Sequence, residues 1–118
     1  MGLPRSERLT RREEFQAVFQ RGRRVDRPSL VVLWRRWDGP RRVGFAVSHQ
    51  VRGAVRRNRA RRRLREAYRA NREALSSGVQ LVCVARAVAA GGPFHAVHRD
   101  MKEALAAVAR HLRATAGG

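Results

Sequence analysis

The sequence predicts an α+β fold, an α-β-β-β-α-β-α two-layer sandwich with helices packed on a four-stranded sheet. Three observations predict it. Apolar residues recur at helical spacing near both ends of the chain and along an arginine-rich block in the middle. Between these blocks lie short apolar or alternating runs punctuated by Gly, Pro and Asp. The chain has 118 residues, 43% of them apolar, which suffices for one core without a staple.

Taken in order, Thr10-Arg11-Arg12-Glu13 fits a capping box with Thr10 as N-cap. Phe15, Val18 and Phe19 follow at helical spacing and Gly22 offers a stop, so the first helix is predicted over 11–21. Phe15 and Phe19 share one face. The pattern allows core anchors or a stacking surface for bases and does not choose between them. Arg23-Arg24-Val25 suits a short strand. Residues 29–37 read as a second strand, apolar on both faces through Leu30, Val31, Val32, Leu33 and Trp34, which places it inside a sheet. Asp38-Gly39-Pro40 marks a turn. Val43, Phe45 and Val47 then alternate with Arg42, Gly44 and Ala46, predicting the partner strand of a hairpin whose small residues leave one face open.

A link over 48–53 leads into a helix predicted over 52–72. At 100° per residue Ala60, Leu64, Ala67, Tyr68 and Asn71 form one stripe, and Arg57, Asn58, Arg61, Arg62, Arg65, Arg69 and Arg72 an adjoining arc. Gly78 precedes a fully apolar fourth strand, 79–87, expected at the sheet centre. Ala89-Ala90-Gly91-Gly92 reads as a flexible link. Pro93 opens the last helix, in which Phe94, Val97, Met101, Ala104, Leu105, Val108 and Leu112 keep helical period to 114, with Gly117 and Gly118 fraying.

Charge narrows the function. Lys and Arg total 27 against 9 Asp and Glu, a net +18, with Lys102 the one lysine. A small chain so charged repels itself unless a polyanion neutralises it, and clustered Arg favours nucleic acid over an anionic membrane or acidic protein. The choice of Arg over Lys carries no weight, since a GC-rich genome produces the same bias. Residues 52–72 hold ten Arg and one Glu, half the net charge. A solvated helix mixes signs at i,i+4, whereas Arg57, Arg61, Arg65 and Arg69 stack like charges, an arrangement that costs stability in isolation. Polyanion binding accounts for it.

Other classes fall away. No apolar run approaches the ~18 residues of a membrane span, and residues 1–8 lack the apolar stretch of a signal peptide. Cys83 stands alone, so no intramolecular disulfide forms and a cytoplasmic setting is expected. It lies in an apolar run and reads as a small hydrophobe. The nine carboxylates are scattered without a two-metal pattern, and His95 and His98, three apart, lack a third ligand. There is no Gly-rich phosphate loop. No catalytic residue, metal ligand or protein-bound cofactor is therefore assigned, and the polypeptide by itself does not read as a catalyst.

From Val47-Ser48 through Arg57-Asn58-Arg59, with Arg61, Arg62 and Arg65 following, the sequence resembles the bacterial ribonuclease P protein subunit family. Glu14-Phe15-Gln16-Ala17-Val18-Phe19 with Arg21-Gly22 is similar to that family's first helix, and Arg42-Val43-Gly44-Phe45-Ala46-Val47-Ser48 to its R-x-G-x-x-V-S strand. The likeness runs in order over 5–114. It implies a single RNA-binding domain over 1–118, with a left-handed βαβ crossover through the arginine helix where backbone chirality alone favours the right-handed one. It implies the protein subunit of a ribonucleoprotein whose RNA, with Mg²⁺, removes the 5′ leader of precursor tRNA. The partners implied are the catalytic RNA and the leader, with no membrane and no obligate protein partner.

Carried over by this resemblance, contacts to the RNA subunit fall to Arg52, Arg56, Arg57, Asn58, Arg59, Arg61, Arg62, Arg65 and Arg69. Contacts to the leader fall to Phe15, Phe19, Leu33, Val47 and Ser48, in a cleft between the first helix and the sheet. Gly44 and Ala46 would let the RNA approach. His49 and Gln50 stand where the family usually shows two lysines, with Arg52 and Arg56 available to replace the charge. Leu33 stands where an aromatic is common, with Trp34 on the opposite side. The competing reading is a structural RNA-binding protein, ribosomal or an assembly factor, that uses the same helix. A DNA-compacting basic protein is a third.

Overall fold

The computed structural model describes residues 3–116, so the fraying expected of Gly117 and Gly118 lies outside the described residues. The elements are α1 (Arg12–Arg21), β1 (Arg23–Asp26), β2 (Leu30–Arg36), β3 (Arg42–Val47), α2 (Ala54–Asn71), β4 (Val79–Ala85), α3 (Ala87–Gly91) and α4 (Phe94–Ala116). Single 3₁₀ turns occupy Arg5–Glu7 and Arg72–Ala74. The strands form one sheet in the order β1-β2-β4-β3.

That order corrects the hairpin expected of β2 and β3. β4 lies between them, antiparallel to β2 with Val82 opposite Leu33, and parallel to β3 with Val82 opposite Gly44. The antiparallel neighbours in sequence are instead β1 and β2, with Val25 opposite Val32. The reason is burial. β4 is apolar on both faces and gains most from a central place, whereas β3 carries Arg42, Gly44 and Ala46 on one face and tolerates the edge. A parallel β3–β4 pair then requires a crossover, which α2 supplies.

The two faces of the sheet are covered unequally. On one, Leu30, Val32 and Trp34 of β2, Val43 and Val47 of β3, and Val79, Leu81, Cys83 and Ala85 of β4 meet two helices. α2 contributes Ala60, Leu64, Ala67 and Tyr68; α4 contributes Val97, Met101, Ala104, Leu105 and Val108. Full burial of each such Leu, Val or Met is worth about 1.5–3 kcal/mol. On the other face α1 packs alone, with Val18 and Leu9 against Val31, Leu33 and Val82. Burial inside the main core pushes the Cys83 thiol up to about 12, which leaves it inert.

Two local expectations shift. α1 begins one residue later than the Thr10 box implied: Arg11 is the N-cap, and Glu14, not Glu13, reaches back to accept the Arg11 backbone N–H at 3.2 Å. Glu14 is also drawn to Arg42 at 3.5 Å, and that tertiary partner selects the register. The segment read as a flexible link folds as α3, with Ala89 and Ala90 fully buried against the core. Alanine favours helix, and burial of two methyl groups outweighs the glycines that follow.

Two buried carboxylates tie the chain together. Asp100 of α4 accepts the Ser29 backbone N–H at 2.9 Å and its hydroxyl at 2.6 Å, holding the β1–β2 turn on the helix layer. Glu7 accepts from the Tyr68 hydroxyl at 2.7 Å, Arg41 Nε at 3.0 Å and Arg72 Nη1 at 2.7 Å, fastening the N-terminal segment to the end of α2. Burial, reinforced by the bond to Glu7, drives the Tyr68 phenol well above its usual range. Among the described residues no helix is long and apolar enough to cross a membrane.

Candidate nucleic-acid interface

The apolar stripe of α2 docks as predicted, with Ala60, Leu64, Ala67 and Tyr68 all fully buried. At 100° per residue the opposite arc then carries Arg61, Arg65, Asn58, Arg69 and Arg62 outward. Asn58, Arg62, Arg65 and Arg69 are exposed and Arg61 is half-buried. Arg56, Arg61, Arg62 and Arg65, with Arg52 in the preceding loop, make no hydrogen bond or ion pair with another described residue. Their guanidinium forks keep donors in a geometry that can match a phosphate bidentately.

The remaining arginines of the helix are engaged within the protein. Arg57 turns inward over the β3–α2 loop: Nη1 donates to the Ser48 and Val51 carbonyls, each at 3.0 Å, and Nη2 to the Val47 carbonyl at 3.3 Å. Its expected place among the outward cations is therefore corrected. On the far flank Arg59 reaches the Ala90 carbonyl at 3.5 Å. Arg63 donates to the carbonyls of Ala89 at 3.0 Å and Gly92 at 2.9 Å, and its guanidinium lies 5.7 Å from the centre of the Phe94 ring. These are carbonyls that the end of a short helix leaves without a backbone donor.

On the other face of the sheet α1 leaves Ala46 and Val84 only partly covered, and this strip is the candidate cleft. Phe15 lies directly on Gly44, where a Cβ would come within 2.4 Å of its ring carbons. The small residue in β3 thus seats an aromatic ring of the protein, and that position is not open to RNA as the sequence suggested. Phe19, four residues on, is 49% exposed. Both flank fully buried Val18, while Glu14 on the opposite flank pairs with Arg42. The aromatic flank of α1 consequently looks along the sheet toward Ala46 and Val84, which are only partly covered.

Leu33 lies beneath α1 at 8% exposure and forms part of this floor. Val47 does not. Strand alternation sends its side chain to the main core with Val43, which removes it from the cleft. Ser48 sits at the cleft's end with its N–H donated to the Ala85 carbonyl at 2.9 Å and its Oγ accepting the Gln50 N–H at 3.2 Å. Opposite Val31, Asp26 is clasped by Arg24 Nε at 3.0 Å and Arg86 Nη2 at 2.6 Å. Its bond to Arg24 holds the carboxyl below the usual carboxylate range. Sequence reading assigned no role to Glu7, Arg63 or Arg86. Arg63 alone left a trace, since its angular position sets it on the flank away from the outward arc.

Among the described residues no three His, Cys, Asp or Glu side chains gather to hold a metal. A family model described as Ribonuclease P matches residues 3–109. The ribonuclease P protein component of Gluconacetobacter diazotrophicus is 45% identical over 104 residues, covering 86% of this chain and 90% of the relative. That of Desulfovibrio desulfuricans is 43% identical over 115 residues, covering 93% and 88%. Among solved structures, the Thermotoga maritima RNase P protein superposes with a TM-score of 0.73 at 27% identity, over 86% of this chain and 96% of that one. The Staphylococcus aureus RNase P protein, at 21% identity, shares the fold with a TM-score of 0.76 over 88% and 96%. With its arginine helix and relatives matched along nearly their whole length, the chain belongs to the ribonuclease P protein component family, the protein subunits of the RNA-containing endoribonuclease that matures tRNA 5′ ends.

Proposed function

We propose that the chain holds the catalytic RNA along the outward arc of α2 and guides the 5′ leader of precursor tRNA through the cleft beside α1. The observation that carries this reading is the contrast within α2: Arg61, Arg62 and Arg65 have no partner among the described residues, while Arg57 and Arg63 beside them do. Unpaired like charges at i,i+4 are retained at a cost that phosphate contact removes. Phe19, half exposed next to Phe15, offers a face on which leader bases stack. Arg52, Arg56, Asn58 and Arg69 extend the phosphate-contacting surface, with Arg59, exposed but shared with the Ala90 carbonyl, at its margin, and Leu33 and Ser48 bound the cleft.

In this reading the protein supplies binding energy and charge screening while the RNA breaks the bond. Mg²⁺ belongs to the RNA, whose phosphates provide the hard oxygen ligands that the scattered carboxylates here do not. The setting is the cytoplasm, with no membrane and no obligate protein partner.

A single-turnover cleavage assay tests the reading. The chain alone is expected to leave precursor tRNA intact, and with the cognate RNA to stimulate cleavage at low Mg²⁺ and to favour leader-bearing over leaderless tRNA. Absence of stimulation removes the reading; stimulation indifferent to the leader removes the cleft from it. Phe19→Ala is expected to weaken leader-bearing substrate by about 1–3 kcal/mol, with mature tRNA unaffected. Phe15→Ala additionally loses the packing on Gly44, so its binding effect is read only beside a denaturation curve.

A further inference from the structure

Resting on the reading of α2 as the RNA-facing helix, we propose that Arg57 is a positioning residue that fixes the β3–α2 loop between ridge and cleft, and that it does not itself contact phosphate. The geometry is specific. The carbonyls of Val47, at the end of β3, and of Ser48 and Val51, in the loop, converge on one guanidinium at 3.0–3.3 Å. Ser48 closes the same loop from within through its hydroxyl and its carbonyl, which also accepts the Val51 N–H at 3.0 Å. Val51 is buried as the loop's anchor, and Gly53 takes the left-handed backbone, φ 90°, that turns the chain into α2.

The exposed side chains of this loop are those of His49, Gln50 and Arg52. They lie between the cleft, which ends at Ser48, and the arc that begins with Asn58. A loop with converging carbonyls and no cation would repel itself and open toward solvent. Arg57 gathers those carbonyls and keeps the loop's outward groups in register with both surfaces. A planar fork with several donors can serve three acceptors at once, whereas a lysine brings the same charge as a single point.

The two roles separate experimentally. Arg57→Lys keeps the charge and loses the fork; Arg57→Gln loses both. With the cognate RNA, a positioning role predicts several-fold weaker binding for both variants, with the salt dependence of binding unchanged. It also predicts faster backbone hydrogen exchange over 49–53 in both. Arg61→Ala, by contrast, is expected to lower the magnitude of the salt slope by about 0.7–0.9 with exchange in the loop unchanged. Full binding by Arg57→Lys, or a reduced salt slope in Arg57→Gln, overturns the proposal.

Should either variant fold poorly, the wild-type protein still decides. Phenylglyoxal modification read by mass spectrometry is expected to spare Arg57 with and without RNA, and to label Arg61, Arg62 and Arg65 only in the free protein. Labelling of Arg57 that RNA suppresses overturns its positioning role. Failure of RNA to protect any of the outward arginines overturns the RNA-facing reading of α2, and the loop's role with it, while Arg57 stays shielded.

Discussion

Arg57 and Arg61 stand one helical turn apart on α2, yet one closes over three backbone carbonyls and the other has no partner among the described residues. The same division holds across the helix. The flank toward α3 carries Arg63, bound to two carbonyls, while the outward arc carries Arg62 and Arg65 with no partner among the described residues. Identical residue types do opposite work because their neighbours differ. A guanidinium beside the end of a short helix or a tight loop satisfies acceptors that would otherwise lack donors, while one facing solvent keeps its donors available. The number of arginines in a basic helix therefore overstates the number available to phosphate.

Substitutions can break or sharpen this contrast. The largest effect is expected from Leu64→Ala, which empties a fully buried site beneath both flanks. It should cost about 2–5 kcal/mol in urea unfolding and disturb both sets of arginines. Glu7→Gln comes next. Its side chain is 10% exposed and joins Arg41, Arg72 and Tyr68, so loss of the charge should cost about 2–3 kcal/mol. Its RNA salt dependence should stay as in the wild type, because Arg72 belongs to the inward set.

A paired measurement sharpens the contrast further. Arg63→Ala should lower stability by about 1.5–3 kcal/mol through its two carbonyl bonds. Arg61→Ala should leave stability within about 0.5 kcal/mol while reducing RNA affinity and its dependence on salt. If both variants behave alike in either measurement, the division of α2 into two flanks fails.

The smallest effect concerns pH at the rim of the cleft. The Asp26 carboxyl lies below its usual range, mainly through its bond from Arg24. A lowered folded-state value means that the clasp contributes fully above the ordinary carboxylate range and is lost as pH falls through the depressed value. Asp26→Asn should therefore lower stability slightly at neutral pH and leave it unchanged below the depressed value, so that the acid limb of the stability curve flattens, as thermal melts across pH would show.

Much was legible in the sequence. The period of Ala60, Leu64, Ala67 and Tyr68 sufficed to orient α2 and to place Arg61, Arg62 and Arg65 outside, because a helix with one apolar stripe can dock in only one rotation. The double-faced apolar runs of β2 and β4 sufficed to put both inside the sheet. Like-charge stacking on α2 by itself points to a polyanion.

What tertiary structure alone decided were matters of partner choice between segments distant in the chain. β4 displaced β3 from β2 because pairing is selected by the burial of all strands together. Glu14 rather than Glu13 closed the cap of α1 because Arg42 waits beside it. Gly44 became a seat for Phe15, and Arg57 turned inward because the carbonyls of residues 47–51 converge only once the crossover is folded. Periodicity records which face of an element avoids water; it carries no information about which acceptor, twenty or sixty residues away, will stand opposite a given guanidinium.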